Sequence, residues 1–248
     1  MRNNIFEYAT GELSQDAFIC WCANWFNDES NPRLQEMSVE LMKYFAGIEE
    51  IKSVSIYRQF SQYVYVADNK HALKIDVLII VNNSIAVIVE DKTYTSEHDN
   101  QIQRYVDGIR YLADNAKKDE NFYGIKDIRT VFLKTGFMYD VDKCVKTDVV
   151  ISGEDFLKIL SKYAGNSEIL DSYIANLENN LQWYVDFGKY EGSEDCFWDW
   201  NIVNHQIAQY RFMRDIFPET LWTNRNSWQL CILMCVIHTQ DLIRSSCL

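Results

Sequence analysis

Proline and glycine are scarce in this chain, two and nine among 248 residues, so collagen-like and low-complexity structures are excluded. Long apolar runs are missing too. The longest near the end, residues 228–237, is about half the ~18–20 residues that span a bilayer, so no membrane segment is expected. The opening Met1-Arg2-Asn3-Asn4-Ile5-Phe6-Glu7 carries neither a long apolar segment nor a small-residue cleavage site, and no signal peptide is read. Paired zinc-knuckle spacing is absent, because Cys20-x-Cys22 and Cys231-x-x-x-Cys235 do not fit it. Seven cysteines, an odd number, read as reduced, mostly buried thiols of a cytoplasmic protein. Basic charge is also short: 24 Lys and Arg stand against 36 Asp and Glu, a net charge of −12. Taken as a total, that balance argues against a nucleic-acid partner, since like charges repel.

What the chain does have is material for a core, with 48% hydrophobic and 14% aromatic residues, which excludes bulk disorder. Leu13, Ala17, Cys20, Trp21 and Trp25 recur at helical spacing, with Thr10 or Ser14 as the expected cap. Leu34, Met37, Leu41, Met42 and Phe45 mark a second helix closed by Gly47. The period then changes to two: Val54, Ile56 and the run 63–66 read as strands. A helix is expected over residues 99–115, with Ile102, Tyr105, Val106, Ile109 and Leu112 on one stripe. Strands are expected at 128–137 and 149–151, and a helix at 153–163 with Phe156, Leu157 and Leu160 inward. From about residue 166 the pattern is helical: Ile169, Tyr173, Leu177, Leu181 and Tyr184 fit one helix, and another runs over 200–217 to Pro218. This order predicts a mixed α/β core with a helical C-terminal extension.

The hairpin 73–90 is the strongest signal. Residues 73–81 and 85–90 are apolar at nearly every position, as in strands buried on both faces, with Asn82-Asn83-Ser84 as the turn. Charges on such strands are costly unless paired or metal-bound, yet Asp76, Glu90 and Lys92 are there. Strand alternation puts Glu90 and Lys92 on one face and turns Asp91 outward. With a three-residue loop Val81 pairs with Ile85, and Asp76 stands opposite Glu90; a two-residue loop would put Asp76 on the other face. Two carboxylates and an ammonium on one face can hold Mg²⁺ or Mn²⁺, polarise a phosphoryl oxygen and activate water. The structural alternative is an ion pair at the sheet end.

Asp76, thirteen intervening residues and Glu90-Asp91-Lys92 resemble the signature of the PD-(D/E)XK nuclease superfamily, with Ile75 where the leading proline would stand. Gln101-Ile-Gln-Arg-Tyr105 is similar to the Q-x-x-x-Y element of its exonuclease-like branches, and Glu12 to an acidic residue on its first helix. The string Gly-Glu12-Leu-Ser-Gln-Asp-Ala-Phe resembles an uncharacterised bacterial subfamily. The resemblance implies a restriction-endonuclease-like mixed β-sheet core flanked by helices over residues 1–165, with a helical C-terminal extension over 166–248. It implies Asp76 and Glu90 as metal ligands, the Asp91 backbone carbonyl as a further oxygen, and Glu12 as an outer metal or water ligand. Lys92 would be the catalytic lysine, while Gln101 and Tyr105 would contact phosphate or orient Lys92.

The expected activity is divalent-metal-dependent hydrolysis of phosphodiester bonds, of DNA before RNA. The alternative is a catalytically silent nuclease-fold module in a larger assembly, which the acidic surface favours and the intact Asp, Glu and Lys oppose. The aromatic content of the C-terminal helices permits a protein partner or a second copy of the chain. His71 and His98 read as loop histidines, and Phe197, Trp198 and Trp200 as core or interface aromatics.

Overall fold

The computed structural model describes residues 4–9, 11–66, 69–95, 100–118, 120–187, 207, 210, 211 and 214. Helices α1 (Glu12–Asn24) and α2 (Pro32–Ala46) precede the hairpin strands β1 (Val54–Val66), β2 (Asn69–Val81) and β3 (Ile85–Lys92). Then follow α3 (Gln101–Asn115), β4 (Asp127–Lys134), α4 (Asp140–Lys143), β5 (Val149–Ser152), α5 (Gly153–Ser161) and α6 (Glu168–Phe187). The five strands lie side by side in chain order. β1–β2 and β2–β3 are antiparallel, and β3–β4 and β4–β5 are parallel. This is the mixed sheet flanked by helices that the sequence predicts, with β2 and β3 in its interior. Where two separate strands are expected over 54–66, one continuous strand stands, and β4 ends at Lys134, short of Phe137.

The chain divides into two compact units. The first comprises residues 1–136 and 145–179, the second residues 137–144 and 180–248. In the second, Phe137 packs against Tyr139 and Tyr210, and Arg214 donates to Tyr210 Oη at 2.8 Å and pairs with Asp140 at 2.5 Å. The helix expected over 200–217 lies outside the described residues except at 207, 210, 211 and 214, which are helical. Phe197, Trp198, Trp200 and His98 also lie outside them, as does the side chain of His71, whose backbone stands in β2 opposite Val64 and not in a loop. Among the described residues, no helix is long and apolar enough to cross a membrane.

Local chemistry sets these elements. Asn31 caps α2 by accepting from the N–H groups of Arg33 and Leu34, Pro32 opens it, and Gly47 closes it at φ 67°. The hairpin turn is three residues, Asn82-Asn83-Ser84, with both asparagines left-handed at φ 54° and 52°. Asn tolerates that region better than most residues. Asn82 also accepts from the N–H of Lys52 at 2.7 Å and donates to the carbonyl of Glu50 at 2.8 Å, tying the turn to the segment before β1. Val81 therefore pairs with Ile85, and the three-residue register holds.

α1 departs from its expected stripe. Leu13 is 60% exposed and Ala17 is exposed, while Gln15, Asp16, Phe18, Ile19, Cys22 and Ala23 face inward. The helix lies on β1, β2 and β3. Its inward face mixes polar with apolar residues, so hydrophobic periodicity does not mark it. Gly11, not Thr10 or Ser14, stands at its N-cap. Behind α1, Phe18 stacks on Tyr173 of α6 with ring centroids 3.6 Å apart, and Phe6 and Phe156 meet the same tyrosine edge-on. α3 covers the opposite side, where Tyr105, Ile109 and Leu112 join Leu78, Ile80, Ala86 and Ile88 in one cluster.

Candidate metal and catalytic site

The site is built on a break in strand alternation. Ile75 and Leu78 of β2 pack into the same cluster under α3 although they are three residues apart. Side chains one and three apart normally face opposite ways, so the phase changes between them, at Asp76 and Val77. β1 repeats the break in register: Tyr57 and Phe60 both pack on that cluster, and between them Gln59 takes a left-handed φ of 50°. The β2–β3 ladder also ends here. Its last registered pair is Val77 with Val89, so Asp76 and Glu90 come opposite one row beyond the bridged residues.

This break lets Asp76 reach toward α1. Carboxylate oxygens of Asp16, Asp76 and Asp91 all lie within 4.8 Å of one another. Gln59 Nε2 donates to Asp16 Oδ2 at 2.6 Å and to Asp76 Oδ1 at 3.2 Å, holding two of the acids together. Asp91 does not turn outward. It does alternate away from Glu90, but α1 covers that face of the sheet, and Asp91 is 1% exposed beside Asp16. Its carboxylate, and not only its backbone carbonyl, is therefore in the cluster. Asp16, four residues after Glu12 and one helical turn further along α1, was missed in the sequence. Its spacing to Glu12 was the available signal, hidden because α1's inward face carries no clear apolar stripe.

Glu90 and Lys92 lie on the row of Ala86 and Ile88, toward α3, and Glu90 is not one of the three acids whose oxygens converge. Lys92 Nζ is 2.5 Å from Glu90 Oε1. This ion pair serves Glu90 Oε1, and Glu90 Oε2 has no hydrogen-bond donor among the described residues. The same is true of both Asp91 oxygens and of Asp16 Oδ1. Glu12 is exposed at the start of α1, with Thr95 Oγ1 3.5 Å from its carboxylate. Gln101 Nε2 donates to Tyr105 Oη at 2.5 Å, and Tyr105 belongs to the core as well as to the edge of the site.

Asp76 links the two groups, since, after burial, the Asp16 charge raises its pKa and the Lys92 charge lowers it. Burial pushes Glu90 from 4.5 up to about 7, against the pull of Lys92. Burial and the Asp16 charge raise Asp76, and burial and Asp16 raise Asp91 further. Burial pulls Lys92 down, but Glu90, Glu12 and Asp76 outweigh it and hold the ammonium above its ordinary value. Tyr105 rises to about 12, chiefly by burial. One cation thus faces several acids that burial drives toward neutrality. A divalent ion would reverse this by giving the Asp91 oxygens and Asp16 Oδ1 a ligand, and hard carboxylate oxygens are its normal donors. The donor set therefore fits such an ion.

The chain matches the family model of the PD-(D/E)XK nuclease superfamily over residues 4–186. It belongs to that superfamily. No curated protein and no solved structure matches it. PD-(D/E)XK membership makes this a nuclease-type fold and accords with the mixed sheet and with an acidic cluster able to take a divalent ion.

Proposed function

We propose that this PD-(D/E)XK protein is a divalent-metal-dependent nuclease that hydrolyses phosphodiester bonds, of DNA in preference to RNA. The observation that carries the reading is the acidic cluster at the alternation break, with Asp16 and Asp91 buried and Asp76 half-buried, adjoining the Glu90–Lys92 pair. Asp76 and Glu90 are the expected metal ligands, with Mg²⁺ or Mn²⁺ as the ion. The carboxylates of Asp16 and Asp91 converge on Asp76 from the α1 side, and Glu12 stands at the solvent side. The bound ion would supply Lewis-acid polarisation of the phosphoryl oxygen and a more acidic water.

The chain's own groups do the rest. Lys92, held as a cation, orients the attacking water and offsets charge growing on the phosphate. Gln59 keeps Asp16 and Asp76 together before the ion arrives, which lowers the reorganisation needed on binding. Gln101 fixes the Tyr105 hydroxyl at the edge of the site, where it can touch substrate phosphate.

The silent-module reading is kept alive by the acidic balance alone. Titrating Mn²⁺ into the protein in a calorimeter separates the two. The nuclease reading expects saturable binding that weakens in Asp76→Asn; absence of binding at millimolar Mn²⁺ favours the silent module.

A further inference from the structure

A groove of about 430 Å³ opens beside the site, lined by Val64, Leu73 and Lys74 on the sheet side and by Gln101, Arg104 and Tyr105 on α3, among others. Gln101 and Tyr105 belong to both the groove and the site edge, so the two are continuous. Lys74 and Arg104 are exposed and form no ion pair among the described residues. In a chain of net charge −12, two unpaired cations in one groove need a reason. One acid, Asp107, also stands on the groove wall and accepts from Gln103 Nε2 at 2.9 Å, so the wall sets two cations against one carboxylate. Asn100, the N-cap of α3, makes no side-chain cap bond, and the helix dipole at this end favours anions.

We infer that this groove is the track of the substrate strand, with Arg104 and Lys74 holding backbone phosphates next to the one to be cut. The inference rests on the nuclease reading and adds the basic surface that the acidic composition hides. Arg suits a phosphate through its forked donors and Lys as a point charge, while Leu73 and Val64 give sugar and base an apolar wall. Contacts of this kind bind without reading sequence, so the groove predicts affinity that is salt-dependent and sequence-tolerant.

The test is fluorescence anisotropy with labelled 20-nucleotide single-stranded DNA, the matching duplex and the same strand as RNA. It is run in a Lys92→Ala background so that the probe survives, and paired with cleavage kinetics in the Lys92-containing protein. Arg104→Ala with Lys74→Ala should weaken binding about tenfold or more near 0.1 M salt and lower the salt slope by about 1.5. The loss in cleavage should fall mainly on KM. Lys117→Ala with Lys118→Ala, an equal loss of charge beyond the far end of α3, should leave the slope unchanged. An unaltered affinity and slope in the groove variant, with cleavage intact, overturns the groove alone. Failure of the starting protein to bind or cut any probe overturns the nuclease reading and the groove with it.

Discussion

Gln59 and Asp76 face each other across β1 and β2 at the row where both strands lose their alternation, joined by a 3.2 Å hydrogen bond. Gln59 is held at φ 50°, a conformation that costs a non-glycine residue about 1–2 kcal/mol. Its amide then reaches two carboxylates at once.

That geometry orders two substitutions against the usual preference for Ala over Gly in strands. Gln59→Ala loses both hydrogen bonds and keeps the left-handed strain. Gln59→Gly loses the bonds and relieves the strain. Chemical denaturation should therefore rank the parent above Gly and Gly above Ala, with about 1 kcal/mol between the two variants. A more stable Ala variant would contradict the break as described.

The buried acids make metal-free stability fall as pH rises. Glu90 has its folded pKa raised from 4.5 to about 7, and Asp91 and Asp76 are raised in the same direction. A raised carboxylate favours the fold below its unfolded value and loses that contribution as pH climbs through the folded one. For Glu90 alone the shift is on the order of 3 kcal/mol, shared with its coupling to Lys92. Melting in EDTA should drop between pH 4.5 and pH 7, and saturating Mn²⁺ should flatten the dependence. Asp91→Asn should shrink the drop in EDTA. A melting temperature that rises over this window would contradict the account.

Gly108 lets α3 approach β2. A Cβ there would lie 2.7 Å from Leu73 Cδ1. Alanine gains about 1 kcal/mol of helix propensity, but crowding a packed core costs about 1–3 kcal/mol. Gly108→Ala should therefore be slightly destabilising and Gly108→Val clearly so, by denaturant midpoint. Replacing Leu73 by Ala in the Gly108→Val background should recover part of the loss, since the two changes share a contact.

Much of the fold was legible because it follows from periodicity and turn chemistry. The Asn82-Asn83-Ser84 loop, the stripe of α3 and the Gly47 cap of α2 are each written in local sequence. The inward face of α1 was not, because Gln15 and Asp16 sit on it where apolar residues are looked for. For the same reason Asp16 was invisible, and Asp91 was turned outward by alternation alone. Alternation gives Asp91 the face away from Glu90, and the apolar run of the strand, which marks both faces as covered, is what places it inside under α1. The break at Gln59 and Asp76 is a tertiary feature, felt only when two strands shift phase together. The groove cations, Lys74 and Arg104, lie on different elements and meet only through the packing of α3 on the sheet.

The most direct test is cleavage of a labelled oligonucleotide, single-stranded and duplex, by the parent protein and by Asp76→Asn, with Mg²⁺, with Mn²⁺ and with EDTA. Cleavage should need the divalent ion, stop in EDTA and fall about a hundredfold or more in Asp76→Asn. Cleavage that persists in EDTA, or that Asp76→Asn leaves unchanged, would contradict the nuclease reading.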